Sequence, residues 1–103
     1  MYDKRFVKPS AFRSDTYRAF VRQWPCLGCG ATSPIQACHT GAHGLGTKAP
    51  DIRCIPLCGE CHLGTNGLDR IGPDAFQKKH NVDLKEESLF LLNAYLTMGN
   101  TLA

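Results

Sequence analysis

Two cysteine pairs constrain this chain more than any other feature of its sequence. Cys26 and Cys29 form one Cys-x-x-Cys pair, and Cys58 and Cys61 form a second one much further along the chain. Two such pairs are the usual way to surround one tetrahedral zinc ion with four thiolates. Because a closed four-cysteine shell leaves no position for water, we expect this zinc to be structural. The fold must then bring two distant segments to one point.

The six cysteines of this short chain also fit a disulfide framework, which is common in secreted proteins. The first residues, Met1-Tyr2-Asp3-Lys4-Arg5, are polar and do not suggest a secretion signal. We therefore expect a soluble, intracellular protein with reduced thiols, in which Cys38 and Cys54 are small buried strand residues. The longest apolar stretch, residues 89–92, is too short to cross a membrane, so no membrane partner is expected.

The length of 103 residues fits one domain, and the net charge of +3 is only mildly basic. The basic residues concentrate near the start of the chain. In the first two dozen residues they are Lys4, Arg5, Lys8, Arg13, Arg18 and Arg22, against Asp3 and Asp15. We interpret residues 1–13 as a basic arm that can neutralise phosphates, and residues 14–103 as the domain. A solvated helix face explains the same charges equally well.

The hydrophobic pattern in the middle of the chain predicts the order strand, loop, strand, helix. Residues 35–39 and 52–57 are typical of strands, and the stretch between them is rich in glycine. Cys58 to about Leu63 are expected to form the first turns of a helix. This order places one histidine at the end of the first strand and a second one on the helix that faces it. The fold class is therefore predicted to be α+β.

Further helices are expected to flank this unit. One runs from residue 14 to about residue 24, and a second one begins at Pro73 with Phe76 facing inward. A third follows a capping residue, Asp83, and reaches Met98. Because this last helix is apolar on much of its surface, we expect it to pack on the core or on another subunit. A homodimer that forms through this last helix would place two active sites for a double-strand cut of DNA.

Four residues supply groups suited to phosphodiester hydrolysis, which needs an activated water and a positive centre. We assign His39 as the general base, oriented by Asp51 or by a backbone carbonyl, because a strand end can hold an imidazole rigidly. His62 is expected to hold a divalent ion, with Asn66 one helical turn further on as a weaker oxygen ligand. Taken alone, a histidine after a Cys-x-x-Cys pair is more often solvated or an alternative zinc ligand.

Together, these motifs resemble the HNH nucleases of phages and prophages, most closely their Ref-like and YbcO-like groups. The resemblance covers roughly residues 24–85, and the combined pattern is much more specific than any one piece of it. The matching stretches are Pro25-Cys26-x-x-Cys29-Gly30, Ala37-Cys38-His39, Gly44-Leu45-Gly46-Thr47-Lys48-Ala49-Pro50-Asp51 and Ile55-Pro56-Leu57-Cys58-x-x-Cys61-His62.

The resemblance implies a small ββα-metal core, also called a His-Me finger, with a structural four-cysteine zinc site. It implies hydrolysis of DNA with one divalent ion, Mg²⁺ or Mn²⁺, with His39 as base, His62 in the metal-binding helix and Asp51 in the active site. It also implies a protein of the bacterial host cytoplasm that acts in recombination or DNA processing, with host recombination proteins as partners. The expected phosphate contacts on DNA are Lys48, Arg53, Arg70, Lys78 and Lys79.

Two residues depart from the HNH pattern. Cys38 stands where many HNH enzymes have an acidic residue or a histidine that binds the metal, and Asn66 stands where many have a histidine. Asparagine can still ligate Mg²⁺, but these substitutions favour weaker binding or a softer metal. They also keep open a zinc-stapled DNA-binding module without catalysis. The apolar last helix keeps open a third interpretation, a protein-interaction domain that binds a partner through this helix.

Overall fold

The computed structural model describes residues 13–41 and 49–99 of the chain. A two-stranded antiparallel sheet lies at its centre, formed by β1 (Gln36–His39) and β2 (Cys54–Leu57). Helices pack against both faces of the sheet, so the predicted small mixed fold of helices and strands is confirmed at this level. The second strand starts later than predicted, because Asp51–Arg53 form a 3₁₀ turn that leads into it.

The register of the sheet separates two residues that are neighbours in sequence. Cys38 lies opposite Ile55, and His39 lies opposite Cys54. Because side chains alternate along a strand and paired residues share a face, Cys38 and Ile55 point to one face of the sheet. His39 and Cys54 point to the other face. The two candidate site residues at the end of β1 therefore belong to different layers.

Four helices form these layers, and a π-helical turn (Tyr95–Gly99) ends the described part of the chain. Their bounds are α1 (Asp15–Val21), α2 (Gly59–Leu63), α3 (Leu68–His80) and α4 (Leu84–Ala94). The Cys38 face packs against α2 and α3, and its core includes Ile55, Leu57, Leu68 and Phe76. The His39 face packs against α1 and α4, and its core is formed by Tyr17, Val21, Cys54 and Leu91.

Helix α1 begins where the sequence predicts it. The Ser14 hydroxyl accepts a hydrogen bond from the Tyr17 N–H at 3.0 Å and caps the first turn. Tyr17 and Val21 are fully buried on one side of the helix. The helix ends at Val21 and not near Trp24, so the predicted end is wrong by three residues. The ring of Trp24 instead packs edge-on against a ring of α4.

The later helices confirm two of the predicted signals. Pro73 begins a helical segment directly after Gly72, whose φ of +86° kinks α3, and Phe76 is fully buried as expected. The Asp83 side chain accepts from the Glu86 N–H at 3.0 Å and caps α4. The first turn of α3, before the kink, is not predicted by the sequence pattern.

One side of α4 packs on the core, as the apolar sequence of this helix predicts. Leu91 is buried there, whereas Leu89 and Phe90 are 53% and 54% exposed. Among the helices in the described part of the chain, none combines the length and the apolar character that a membrane crossing requires.

Candidate metal centre and His39 groove

The four paired cysteines meet at one point. The sulfur atoms of Cys26, Cys29, Cys58 and Cys61 all lie within 4.8 Å of one another, and none of them forms a disulfide. The Cys29 and Cys58 sulfurs are 3.7 Å apart. Tetrahedral zinc with Zn–S bonds of about 2.3 Å requires sulfurs roughly 3.8 Å apart. The cluster can therefore hold a structural metal such as zinc, as the cysteine spacing predicts.

The turn around Gly28 prepares this cluster for a cation. The N–H groups of Gly28 and Cys29 donate to the Cys26 sulfur at 3.3 and 3.4 Å. Burial alone would raise the pKa of Cys26, but these and other hydrogen bonds lower it to about 6, which favours the thiolate. A Cβ at Gly28 would lie 2.8 Å from the Cys61 sulfur, so this position needs glycine.

A buried carboxylate holds His39 at the end of β1. The Nε2 atom of His39 lies 2.7 Å from Oδ1 of Asp51, which is fully buried. The other oxygen of Asp51 accepts from the Ser14 N–H at 2.6 Å and from the Arg18 guanidinium. Burial would raise the pKa of Asp51, but the hydrogen bonds from Ser14 and His39 and the charge of Arg18 lower it below its usual value. Asp51 is therefore ionised at neutral pH.

The hydrogen bond between His39 and Asp51 determines which ring nitrogen of His39 can accept a proton. Because an ionised Asp51 only accepts hydrogen bonds, Nε2 of His39 carries the proton, and Nδ1 is the atom that can accept one. His39 also lines a groove of about 280 Å³, together with Asp69 and Gly72. The position and the bonding of His39 match those of the predicted base, and its catalytic role stays a prediction. Asp51 is buried, contacts His39 and does not line the groove.

A second group of possible ligands lies on the other face of the sheet. The ligand atoms of Cys38, His62 and Asp69 lie within 4.8 Å of one another. Nδ1 of His62 lies 2.6 Å from the side-chain amide oxygen (Oε1) of Gln36, so in the neutral ring Nδ1 carries the proton and Nε2 keeps its lone pair. That lone pair faces an Asp69 carboxylate oxygen at 3.4 Å. Two electron-rich atoms and a sulfur that converge in this way suit a cation.

Burial makes Cys38 a thiol when no cation is near. Burial, with the nearby charges of Asp69 and Cys54, raises the pKa of Cys38 to about 12. A divalent cation reverses this preference, because it deprotonates a coordinating thiol. The sequence predicts Cys38 as a small buried residue, at a position where many HNH enzymes have a metal ligand. The structure adds that its sulfur belongs to this cluster.

The prediction that Asn66 follows His62 on the same helix is wrong. Helix α2 ends at Leu63, because Gly64 adopts an extended conformation with ψ of −176°. Asn66 therefore lies in the turn between α2 and α3, and helical spacing no longer brings it beside His62. The residue beside His62 is Asp69, in the first turn of α3. Gly64 and Gly67 are residues that favour such a turn but also occur within helices.

A third group, His39, Asp51 and Cys54, also has its ligand atoms within 4.8 Å of one another. The Arg18 guanidinium pairs directly with Asp51 at this point. A second cation here would meet the charge of Arg18. This group therefore positions His39, whereas the Cys38, His62 and Asp69 cluster suits a metal.

The sequence from residue 4 to residue 99 matches a protein family described as "Protein of unknown function (DUF968)". This match covers nearly the whole chain. The chain belongs to the DUF968 family. No curated protein and no solved structure matches it. The four-cysteine cluster, His39 and the Cys38, His62 and Asp69 cluster all lie within the DUF968 match.

The basic residues of this DUF968 chain fall into separate regions. Arg53 lies beside a groove that adjoins the one at His39, and Arg70 is exposed on α3. Lys78 and Lys79 are exposed in the last turn of α3, away from Asp69 at its start. Lys48 and residues 1–12 of the predicted basic arm lie outside the described residues. Within the arm's helical continuation, Arg18 pairs with Asp15 and Asp51.

Proposed function

We propose that this chain is a metal-dependent HNH-type endonuclease that hydrolyses DNA phosphodiester bonds. One observation carries the proposal: His39, oriented by a buried carboxylate, lines the same groove as Asp69 of the cation-binding cluster. Hydrolysis of a phosphodiester needs a base for the attacking water and a positive centre for the developing charge. Because His39 and Asp69 both line the groove, a phosphate can lie there between the base and the bound cation.

Each residue of the proposed site has a distinct role. Nδ1 of His39 accepts a proton from the attacking water, and the ionised Asp51 stabilises the imidazolium that forms. Cys38, His62 and Asp69 hold the divalent ion, with Gln36 fixing the ring of His62. When bound, the ion supplies positive charge for the phosphate and for the leaving oxygen. Sulfur and nitrogen ligands favour Mn²⁺ over Mg²⁺.

The order of the elements supports the ββα-metal form of the proposal. The core of that arrangement corresponds to β1, β2 and α2, with His39 at the end of β1 and His62 on α2. The four-cysteine cluster joins the turn after α1 to the start of α2 and so fixes the helix that carries His62. The setting in phages and prophages, and host recombination proteins as partners, rest on the sequence resemblance.

Nicking of supercoiled plasmid tests the proposal. We expect the wild type to nick plasmid with Mn²⁺ or Mg²⁺, and His39→Ala to lose roughly 10²-fold to 10⁴-fold of that rate. His80→Gln is the matched control, because His80 packs against Phe76 at the far end of α3 and should leave nicking intact. Zinc content is measured for all three proteins, to show that the four-cysteine cluster is loaded.

The same experiment separates the nuclease from its main rival. A zinc-stapled DNA-binding module would bind plasmid and would leave it uncut with every divalent ion. Nicking that persists at the wild-type rate in His39→Ala would instead indicate a contaminating nuclease or a different base. Either result would refute the role that we propose for His39.

A further inference from the structure

A second groove adjoins the one at His39 and carries positive charge. It has a cavity volume of about 380 Å³ and shares Thr40, Gly41 and two other residues with the first groove. The side chains that it adds are those of Arg53, Gln77 and Lys85. Among the described residues that line it, two are cations and none is a carboxylate. The chemistry of this groove suits an anion.

The backbone of Arg53 is held by hydrogen bonds from Thr40, whereas the Nε atom of its side chain has no acceptor among the described residues. The Arg53 carbonyl accepts from the Thr40 N–H at 3.2 Å and from the Thr40 hydroxyl at 2.7 Å. Its Nε atom is buried and has no hydrogen-bond partner among the described residues. A buried N–H without an acceptor is costly, and a phosphate oxygen is the acceptor that a guanidinium fits best.

A glycine lets this guanidinium approach the backbone at the end of β1. A Cβ at Gly41 would lie 3.1 Å from the Cζ atom of Arg53, and the φ of Gly41 is +95°. Only glycine adopts such a backbone without strain and leaves that space open. The side chain of Arg53 is therefore seated directly beyond the strand end that carries His39.

Gln77 and Lys85 add donors to the same groove. The side-chain oxygen of Gln77 accepts from the Leu84 N–H at 2.8 Å, which fixes the amide and leaves its NH₂ group to donate. Lys85 is exposed at the start of α4 and lines the groove. The guanidinium, amide and ammonium groups are the usual contacts to nucleic-acid phosphates.

We propose that Arg53, Gln77 and Lys85 bind a backbone phosphate of the DNA strand, next to the phosphate that lies beside His39. The proposal rests on the proposed function, because the shared wall of the two grooves allows one strand to pass through both. In this proposal the subsite fixes the position of the DNA strand along the two grooves, and hydrolysis takes place in the His39 groove. A backbone contact of this kind is independent of base sequence.

The test is a binding measurement that needs no cleavage. Zinc-loaded His39→Ala serves as the parent protein, and its affinity for a labelled DNA duplex is measured by fluorescence anisotropy over a series of salt concentrations. Adding Arg53→Gln and Lys85→Gln should weaken binding about tenfold or more at low salt. It should also reduce the slope of log affinity against log salt by about 1 to 2.

Arg22→Gln is the matched control. Arg22 is an exposed cation at the end of α1, and it lines neither groove. We expect its affinity to stay within twofold of the parent. Lys85→Gln alone guards against misfolding, because this side chain is exposed, and it should account for a measurable part of the loss. Arg53→Lys should retain more affinity than Arg53→Gln, because it keeps the charge.

Three results would overturn the subsite: a parent that does not bind DNA, a double variant that binds as well as the parent, or an equal loss in Arg22→Gln. Inorganic phosphate that displaces the duplex at equal phosphate concentration would indicate a free-anion site instead. The outcomes remain separable from those of the nuclease proposal. Wild-type nicking with an unaffected double variant refutes the subsite alone, and DNA binding that depends on Arg53 and Lys85 without any cleavage refutes the nuclease alone.

Discussion

Asp51 is buried between the end of β1 and the start of α1, and both of its carboxylate oxygens accept hydrogen bonds. One oxygen faces His39, and the other faces Arg18 and the backbone of Ser14. Because the pKa of Asp51 is lowered, the charge on it persists at neutral pH and keeps the proton of His39 on Nε2. Asp51 therefore contacts both α1 and His39, and its charge determines which ring nitrogen of the proposed base carries the proton.

Replacing Asp51 should damage catalysis more than DNA binding. In Asp51→Asn the amide no longer carries the charge that stabilises the imidazolium, so we expect nicking to fall roughly 10²-fold or more. The free energy of unfolding should fall by about 1–3 kcal/mol, because Arg18 loses its buried partner. Asp15→Asn is the control, since Asp15 pairs with Arg18 at the surface and has no contact with His39.

The measurements are plasmid nicking rate, DNA affinity and zinc content for both variants. An Asp51→Asn protein that keeps zinc and DNA affinity but loses nicking would support a positioning role. Equal nicking by Asp51→Asn and the wild type would show that the contact to His39 has no part in catalysis.

The length of one short helix decides which residues form the second cluster. Helix α2 starts where the second cysteine pair predicts, because the pair must present both sulfurs to one ion. Its end could not be predicted in the same way. A helix tolerates glycine at a cost of about 1 kcal/mol each, so Gly64 and Gly67 are compatible with a continued helix or with a turn. The packing of α3 against the sheet selects the turn and brings Asp69 beside His62.

Gly72 sets the bend in α3 above the His39 groove. Its φ of +86° and ψ of 164° fall in a region that only glycine adopts without strain. Gly72→Ala should therefore lower the free energy of unfolding by about 1–3 kcal/mol, measured by denaturant titration. Gly59→Ala is the control, because a Cβ there meets no atom within 4 Å and the residue starts α2. We expect it to be neutral or slightly stabilising.

If Gly72→Ala unfolds at the same denaturant concentration as the wild type, the backbone conformation that we describe at Gly72 is contradicted. That result would indicate a continuous helix through residue 72, which would move Asp69 relative to His39. The plasmid nicking rate of the variant, measured alongside, reports whether the groove depends on this bend.

At the scale of the whole molecule, the four-cysteine cluster joins the segment after α1 to the strand–helix unit. Cys26 and the partly buried Cys58 and Cys61 belong to the core on the Cys38 face of the sheet. Removing the metal should therefore lower the melting temperature strongly and expose this core. Circular dichroism before and after chelation, with zinc content measured on the same samples, tests this. An unchanged melting temperature in zinc-free protein would show that the cluster is not a structural metal site.

The sequence predicts most of the local structure and less of the way the layers meet. Cysteine spacing, the Asp83 cap and the inward Phe76 are local signals, and the structure agrees with each of them. The sequence predicts the Asp51 contact to His39 as one of two alternatives, the other being a contact from a backbone carbonyl. The convergence of Cys38 with Asp69, and the seat of Arg53 beside Gly41, depend on packing between elements that are distant in sequence. No single-residue pattern encodes such contacts.

The most direct measurement is the metal dependence of plasmid nicking in Asp69→Asn and Asn66→Ala, titrated with Mn²⁺ beside the wild type. If Cys38, His62 and Asp69 hold the catalytic ion, Asp69→Asn should need at least tenfold more Mn²⁺ for half of its maximal rate. Asn66→Ala should match the wild type. The account is contradicted if no divalent ion supports nicking by the wild type, or if Asn66→Ala shifts the Mn²⁺ requirement while Asp69→Asn does not.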